Sequence, residues 1–202
     1  MPQEQPRAAL SFKERQWRQR HEEILDAGYR LMAVKGFTAI SVEDVANAVG
    51  ISRPTFYTHF DSKEQLGAEV LVRMIRAAEQ KLSDLRQTLD PADAVRDLFC
   101  WMIETQFDNQ NTFDHARAVV LFGQPRVVGA VQPFAISVAE EIARAQTLGR
   151  IRPDLDPLWI SKSVLSILKD PVNEIEFRNG DLDVDGLKRY VVDLFFLPEG
   201  PE

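Results

Sequence analysis

Two helix starts, Ser41 and Ser52, stand on either side of a single helix stop, Gly50, and that crowding leaves few folds open to the chain. Ser41 can cap a helix whose third residue is Asp44, while Ile40 and Val45 occupy the positions of a hydrophobic staple. Val42, Val45, Ala46 and Val49 recur at helical spacing, and Gly50 supplies the positive φ by which a chain leaves a helix. Ser52 then caps again, with Ile51 and Phe56 as its staple and Pro54 in a first turn that has no hydrogen bond to lose. Two short helices joined by a tight turn containing glycine form a helix-turn-helix, whose second helix enters the DNA major groove.

That second helix is expected over Arg53–Phe60, with Phe56 and Phe60 on its inner face. A rotation of about 100° per residue leaves Pro54, Thr55, Tyr57 and Thr58 on the outer arc, flanked by Arg53 and His59. Arg53 and Lys63 each fall in the first turn of a helix, where the macrodipole disfavours a cation by roughly 0.3–1 kcal/mol. Either both side chains turn away into solvent, or an external anion such as a DNA phosphate compensates them.

The run Ser41, Val45-Ala46, Val49-Gly50-Ile51, Thr55-Phe56-Tyr57, His59-Phe60 and Ser62-Lys63-Glu64 resembles the TetR family of one-component bacterial transcriptional regulators. The turn glycine, Phe-Tyr, His-Phe and Ser-Lys-Glu all stand at that family's spacing. The resemblance is strong over about Glu22–Leu71 and elsewhere extends only to helical plan and length. It implies DNA contacts at Ser41, Arg53, Pro54, Thr55, Tyr57, Thr58, His59 and Lys63. Arg53, Thr55 and Thr58 are the candidates for base edges, and Tyr57 and His59 for positioning the backbone.

With 202 residues, 45% of them hydrophobic and 27% charged, the chain can bury a sizeable core. One cysteine, Cys100, excludes an internal disulfide framework, and no apolar run reaches the ~20 residues of a membrane span, so a cytoplasmic protein is expected. The net charge of −7 is unusual for a DNA binder, but residues 1–63 carry nine Lys/Arg against eight Asp/Glu, whereas residues 64–202 carry fifteen against twenty-three. A basic stretch, Arg7, Lys13, Arg15, Arg18 and Arg20, precedes the helix-turn-helix and either follows phosphates or is a merely solvated tail.

The remaining periodicities predict an all-α chain: a flexible basic arm over 1–13, a three-helix DNA-binding domain over 14–63, and a ligand-binding and dimerisation domain over 64–202. A helix from about Glu14 to Lys35 roofs the helix-turn-helix, and Gly28 within it suggests close packing against another helix. A long helix from Lys63 to about Leu89 joins the halves as a lever and breaks at Asp90-Pro91. Further helices are expected after Pro91, over Phe113–Phe122, from Gln124 to Leu148 with a kink near Pro133, from Pro157 to Asp170-Pro171, and over Asp183–Leu197.

Phe99, Met102, Ile103, Phe107, Phe113, Phe122 and Phe134 concentrate large apolar groups in the middle helices, with Gln106, His115 and Arg117 as polar companions. Each alone reads as core; as a set, the family resemblance implies a small-molecule effector cavity among them. Trp159, Ile160 and Val164, with Leu187, Tyr190, Val191, Leu194 and Phe195, exceed a single apolar stripe on the last two long helices. They either complete the monomer core or pack against a second copy, as a homodimer spanning two half-sites of a double-stranded operator requires. No cofactor motif occurs; His21, His59 and His115 lack metal-ligand spacing; and neither Cys100 with His115 nor Ser62 with His59 and Asp61 makes a credible catalytic set. The expected function is a repressor released from a palindromic operator by a mostly apolar ligand, and the rival reading is an architectural or constitutively bound DNA protein with no ligand.

Overall fold

A computed structural model describes residues 11–107 and 119–198. Among them the chain is helical throughout: α1 (Phe12–Lys35), α2 (Val42–Val49), α3 (Arg53–Tyr57), α4 (Lys63–Leu85), α5 (Pro91–Gln106), α6 (Val119–Phe122), α7 (Pro125–Thr147), α8 (Pro157–Ile167), α9 (Pro171–Asn179) and α10 (Val184–Phe195). The one extended pairing is an isolated bridge between Ile151 and Phe196.

Most boundaries are set by caps. Ser41 accepts the amide N–H of Asp44 while the Asp44 carboxylate accepts the N–H of Ser41, so the predicted box at α2 is reciprocal. Ser52, Ser62, Asp90, Asp156, Asp170 and Asp183 likewise accept first-turn amides of α3, α4, α5, α8, α9 and α10. Four boundaries differ from expectation. A box between Ser11 and Glu14 starts α1 at Phe12. The recognition helix proper ends at Tyr57, its last turn continued by bonds from His59 and Phe60 N–H to the Phe56 carbonyl. The lever helix closes at Leu85, short of Leu89. Residues 171–179 form a helix of their own, because Asp170 caps a new start at Pro171. Of the helix expected over Phe113–Phe122, Val119–Phe122 lies within the described residues, and α7 runs unbroken through Pro133.

Two cores share α4. The first gathers Ile24, Leu25 and Met32 of α1, Val45 of α2, Phe56 and Phe60, and Leu66, Val70 and Leu71 of α4. Phe56 and Phe60 are 0% and 1% exposed, and truncating either to alanine is expected to cost about 3–5 kcal/mol. The second core takes Ala78 and Leu82 from the far half of α4 and packs them with α5, α7, α8 and α10. At 1.5 Å per residue α4 spans roughly 35 Å, so one rigid element enters both cores. Gly28 sits where a Cβ would lie 2.9 Å from the Leu66 side chain, which explains the glycine inside α1 as a close approach of α1 to α4. At Gly67 a Cβ would lie 2.7 Å from Leu121 and 2.9 Å from Phe37, so α6 presses on the first core at that point.

Candidate functional site

The outer surface of α3 follows from its two phenylalanines. With Phe56 and Phe60 held inward, Arg53, Pro54, Tyr57 and Thr58 are exposed, and Thr55 and His59 are half-buried. The hydroxyls on this face are partly engaged already. Ser41 Oγ donates to Asp44 Oδ2 at 2.6 Å, Thr58 Oγ1 donates to the Thr55 carbonyl at 2.7 Å, and Thr55 Oγ1 lies 2.9 Å from Ser52 Oγ. Among the described residues no hydrogen bond or ion pair engages the Arg53 guanidinium or the Tyr57 hydroxyl. They are the side chains of this face with donors to give.

His59 and Lys63 occupy unexpected surroundings. The His59 ring stacks on Trp17 of α1 with centroids 4.9 Å apart, Trp17 stacks on His21 at 5.0 Å, and His21 on Phe60 at 4.4 Å. Trp17, an exposed aromatic among arginines, went unpredicted; nothing in its spacing marks it as the residue that ties α1 to the end of the recognition helix. Burial first, then the neighbouring His21 and Arg20, pushes the His59 pKa below its ordinary value. Lys63 does not turn outward from its helix start. Its ammonium donates to the carbonyls of Phe37 at 3.1 Å and Ile40 at 3.0 Å and lies 4.6 Å from the Phe37 ring, binding α4 to the turn before α2. Two of its three protons are therefore engaged within the chain.

The second half contains a partly open cavity of about 320 Å³ between α4, α5 and α7, bordered by Tyr29 of α1 and by the end of α8. Of the residues singled out from sequence, Met102, Gln106, Phe122 and Phe134 line it. Phe99 and Ile103 are buried in the second core outside the lining, and Phe107 faces a separate surface groove beside Phe177 and Lys188. Phe113, His115 and Arg117 lie outside the described residues. The lining also includes Tyr29, Leu71, Arg73, Met74, Trp101, Leu165 and Lys169, which the sequence did not single out, because a helix's own periodicity does not say which of its inward residues border a void.

The residues expected at a dimer interface divide. Ile160, Val164, Val191 and Phe195 are at most 1% exposed and belong to the monomer's second core, so they are not interface residues in this conformation. Trp159 of α8 and Tyr190 of α10 are 56% and 59% exposed, and Leu187 and Leu194 are partly buried. α8 lies chiefly along α7, and α10 along α5.

No group of three or more His, Cys, Asp or Glu side chains able to hold a metal occurs among the described residues. Ser62, imagined as a nucleophile, has its hydroxyl engaged in accepting the Gln65 amide as the cap of α4, and burial raises the pKa of the Cys100 thiol. No helix among the described residues is long and apolar enough to cross a membrane.

The helix-turn-helix segment, residues 24–70, matches the profile of the bacterial regulatory proteins of the tetR family. That segment is a TetR-family helix-turn-helix. Over 118 residues it is 35% identical to the transcriptional regulator EthR of Mycobacterium tuberculosis, a match covering 58% of this chain and 50% of EthR. The chain thus spans about half the length of that relative. It is 26% identical over 188 residues to the transcriptional repressor KstR2 of Mycolicibacterium smegmatis, covering 90% of this chain and 82% of KstR2. Its TetR-type fold superposes on the fatty acid degradation regulator FadR of Bacillus halodurans with a TM-score of 0.70 at 16% identity, covering 87% of this chain and 93% of FadR.

Proposed function

We propose that this chain is a homodimeric repressor that binds a palindromic operator in double-stranded DNA and is released by a small, mostly apolar effector held in the cavity of its second half. The observation that carries the reading is the shared helix: α4 begins three residues after Phe60 at the end of the recognition helix, and its residues Leu71, Met74, Ile75 and Ala78 form one wall of the cavity. A ligand that fits one arrangement of α4 better than another biases the angle at which α3 is presented, and its differential affinity sets the size of the effect.

In this reading residues 14–63 are the DNA-binding domain, residues 64–202 the effector and dimerisation domain, and 1–13 a basic arm. Arg53 meets a base edge or phosphate, Tyr57 and the remaining proton of Lys63 meet phosphates, and Pro54, Thr55, Thr58 and Ser41 complete the contact surface. His59 acts by holding α3 against Trp17. Trp159 and Tyr190 are assigned to the dimer interface, supported from beneath by the buried residues of α8 and α10. The protein works in the cytoplasm and catalyses no reaction.

The test is a genome-wide pull-down by the purified full chain at physiological salt. One enriched palindrome is the expected result, with half-sites about one helical turn or a multiple of it apart. Enrichment without a shared motif replaces the reading with an architectural one, and no enrichment at any salt removes DNA binding altogether.

A further inference from the structure

The cavity carries a positive charge that its own lining leaves unbalanced. Two of the lining side chains are basic, Arg73 and Lys169, and no Asp or Glu lines it. Arg73 is matched at once, since Asp26 pairs with its guanidinium at 2.5 Å. Lys169 is not. Its position just beyond α8, after the inward residues Leu165 and Leu168, brings the ammonium 4.5 Å from the Phe122 ring centroid. Among the described residues no carboxylate or hydrogen-bond acceptor meets it. The adjacent Asp170 has its carboxylate committed to the Val172 amide at 2.8 Å, capping α9.

An ammonium partly withdrawn from water favours an opposite charge or several acceptors, and a single aromatic face restores only part of the lost hydration. Burial accordingly pushes the Lys169 pKa down, with no opposing cause. The rest of the lining is mostly apolar, and its neutral polar groups, such as Gln106 and Thr105, do not neutralise charge.

Resting on the effector reading above, we propose that the effector is an amphiphilic monoanion, a carboxylate on an apolar body, whose carboxylate pairs with Lys169 while its body fills the space between α4, α5 and α7. A cationic ligand would add a third positive charge beside Arg73 and Lys169, and a neutral one would leave Lys169 as it is. At roughly 30 Å³ per non-hydrogen atom, the volume liquid water occupies, the cavity of about 320 Å³ suits a body of on the order of ten such atoms. A single lysine presents one compact charge without the planar fork of arginine, which suits a monoanion better than a bidentate dianion site.

Octanoate, 1-octanol and octylamine share this size and differ in charge. Each is titrated into the full-length protein by calorimetry, with fluorescence of Trp101, which lines the cavity, as a second readout. Octanoate is expected to bind at least about tenfold more tightly than the other two. Lys169→Met should weaken octanoate by about tenfold to a hundredfold and leave octanol unchanged, while Lys169→Arg keeps octanoate binding. Lys169→Gln serves in place of the methionine variant if that protein does not fold. Equal binding of octanol and octanoate, or equal weakening of both by loss of Lys169, overturns the anion and leaves the effector reading standing. Failure of all three probes to bind overturns the effector cavity and the anion with it.

Discussion

Single residues at the turn of the helix-turn-helix set its geometry through backbone conformation and charge. Gly50 holds φ 74° and ψ 37°, and the reversal lets Ile51 N–H reach the Ala46 carbonyl at 2.9 Å. A Cβ there would meet nothing within 4 Å, so Gly50→Ala isolates the cost of the left-handed conformation. That cost is about 1–2 kcal/mol, which in a chain of this size lowers the melting temperature by a few degrees in a thermal scan. Asp44 tests the other end of α2. Hydrogen bonds from the Ser41 hydroxyl and amide, then from Lys35, hold its carboxyl down at about 2, against an ordinary 3.8. A depressed acid stabilises the folded state above its unfolded pKa and ceases to do so as pH falls through its folded one. Between pH 4 and pH 2 the stability difference between the native chain and Asp44→Asn should therefore shrink towards zero, followed by circular dichroism melts across that range.

Helices are where the two cations of the proposed DNA face separate. Arg53 stands at the start of α3 with no internal partner among the described residues, whereas Lys63 at the start of α4 spends two protons on Phe37 and Ile40. Arg53→Ala should reduce the salt slope of DNA binding by about one unit and leave the melting temperature unchanged, while Lys63→Ala should lower both. A Lys63 variant with an unaltered slope would confine that residue to holding α4 against the turn before α2. This contrast was not legible in the sequence, where both residues read alike as first-turn cations. Caps and stops were legible, because Ser41, Ser52 and Gly50 act within a few residues of themselves. What depended on neighbours distant in sequence was not. Trp17 gains its meaning from His59, Gly67 from Leu121, and Lys169 from a void bounded by α4, α5 and α7.

At the scale of the molecule, the question is how two halves with separate cores act together and, as proposed, with a second copy. Within α4, Glu69 links α7 and α1: its carboxylate lies 2.8 Å from Arg126 of α7 and 3.7 Å from His21 of α1. The proposed dimer has to be built from what the monomer leaves outside. Ile160, Val164, Val191 and Phe195 are committed to the second core, so altering them would unfold the half and say nothing about association. Trp159 and Tyr190 are mostly exposed, and a large exposed aromatic is costly to leave in water unless a partner covers it. Trp159→Glu should leave the helical content and melting temperature of the isolated chain unchanged while sedimentation shifts from dimer to monomer. Operator affinity should then fall at least about tenfold, because a monomer engages one half-site and loses the effective concentration that the second contributes. A Trp159→Glu protein that remains a dimer would remove α8 from the interface and leave Tyr190 on α10 as the surface to alter next.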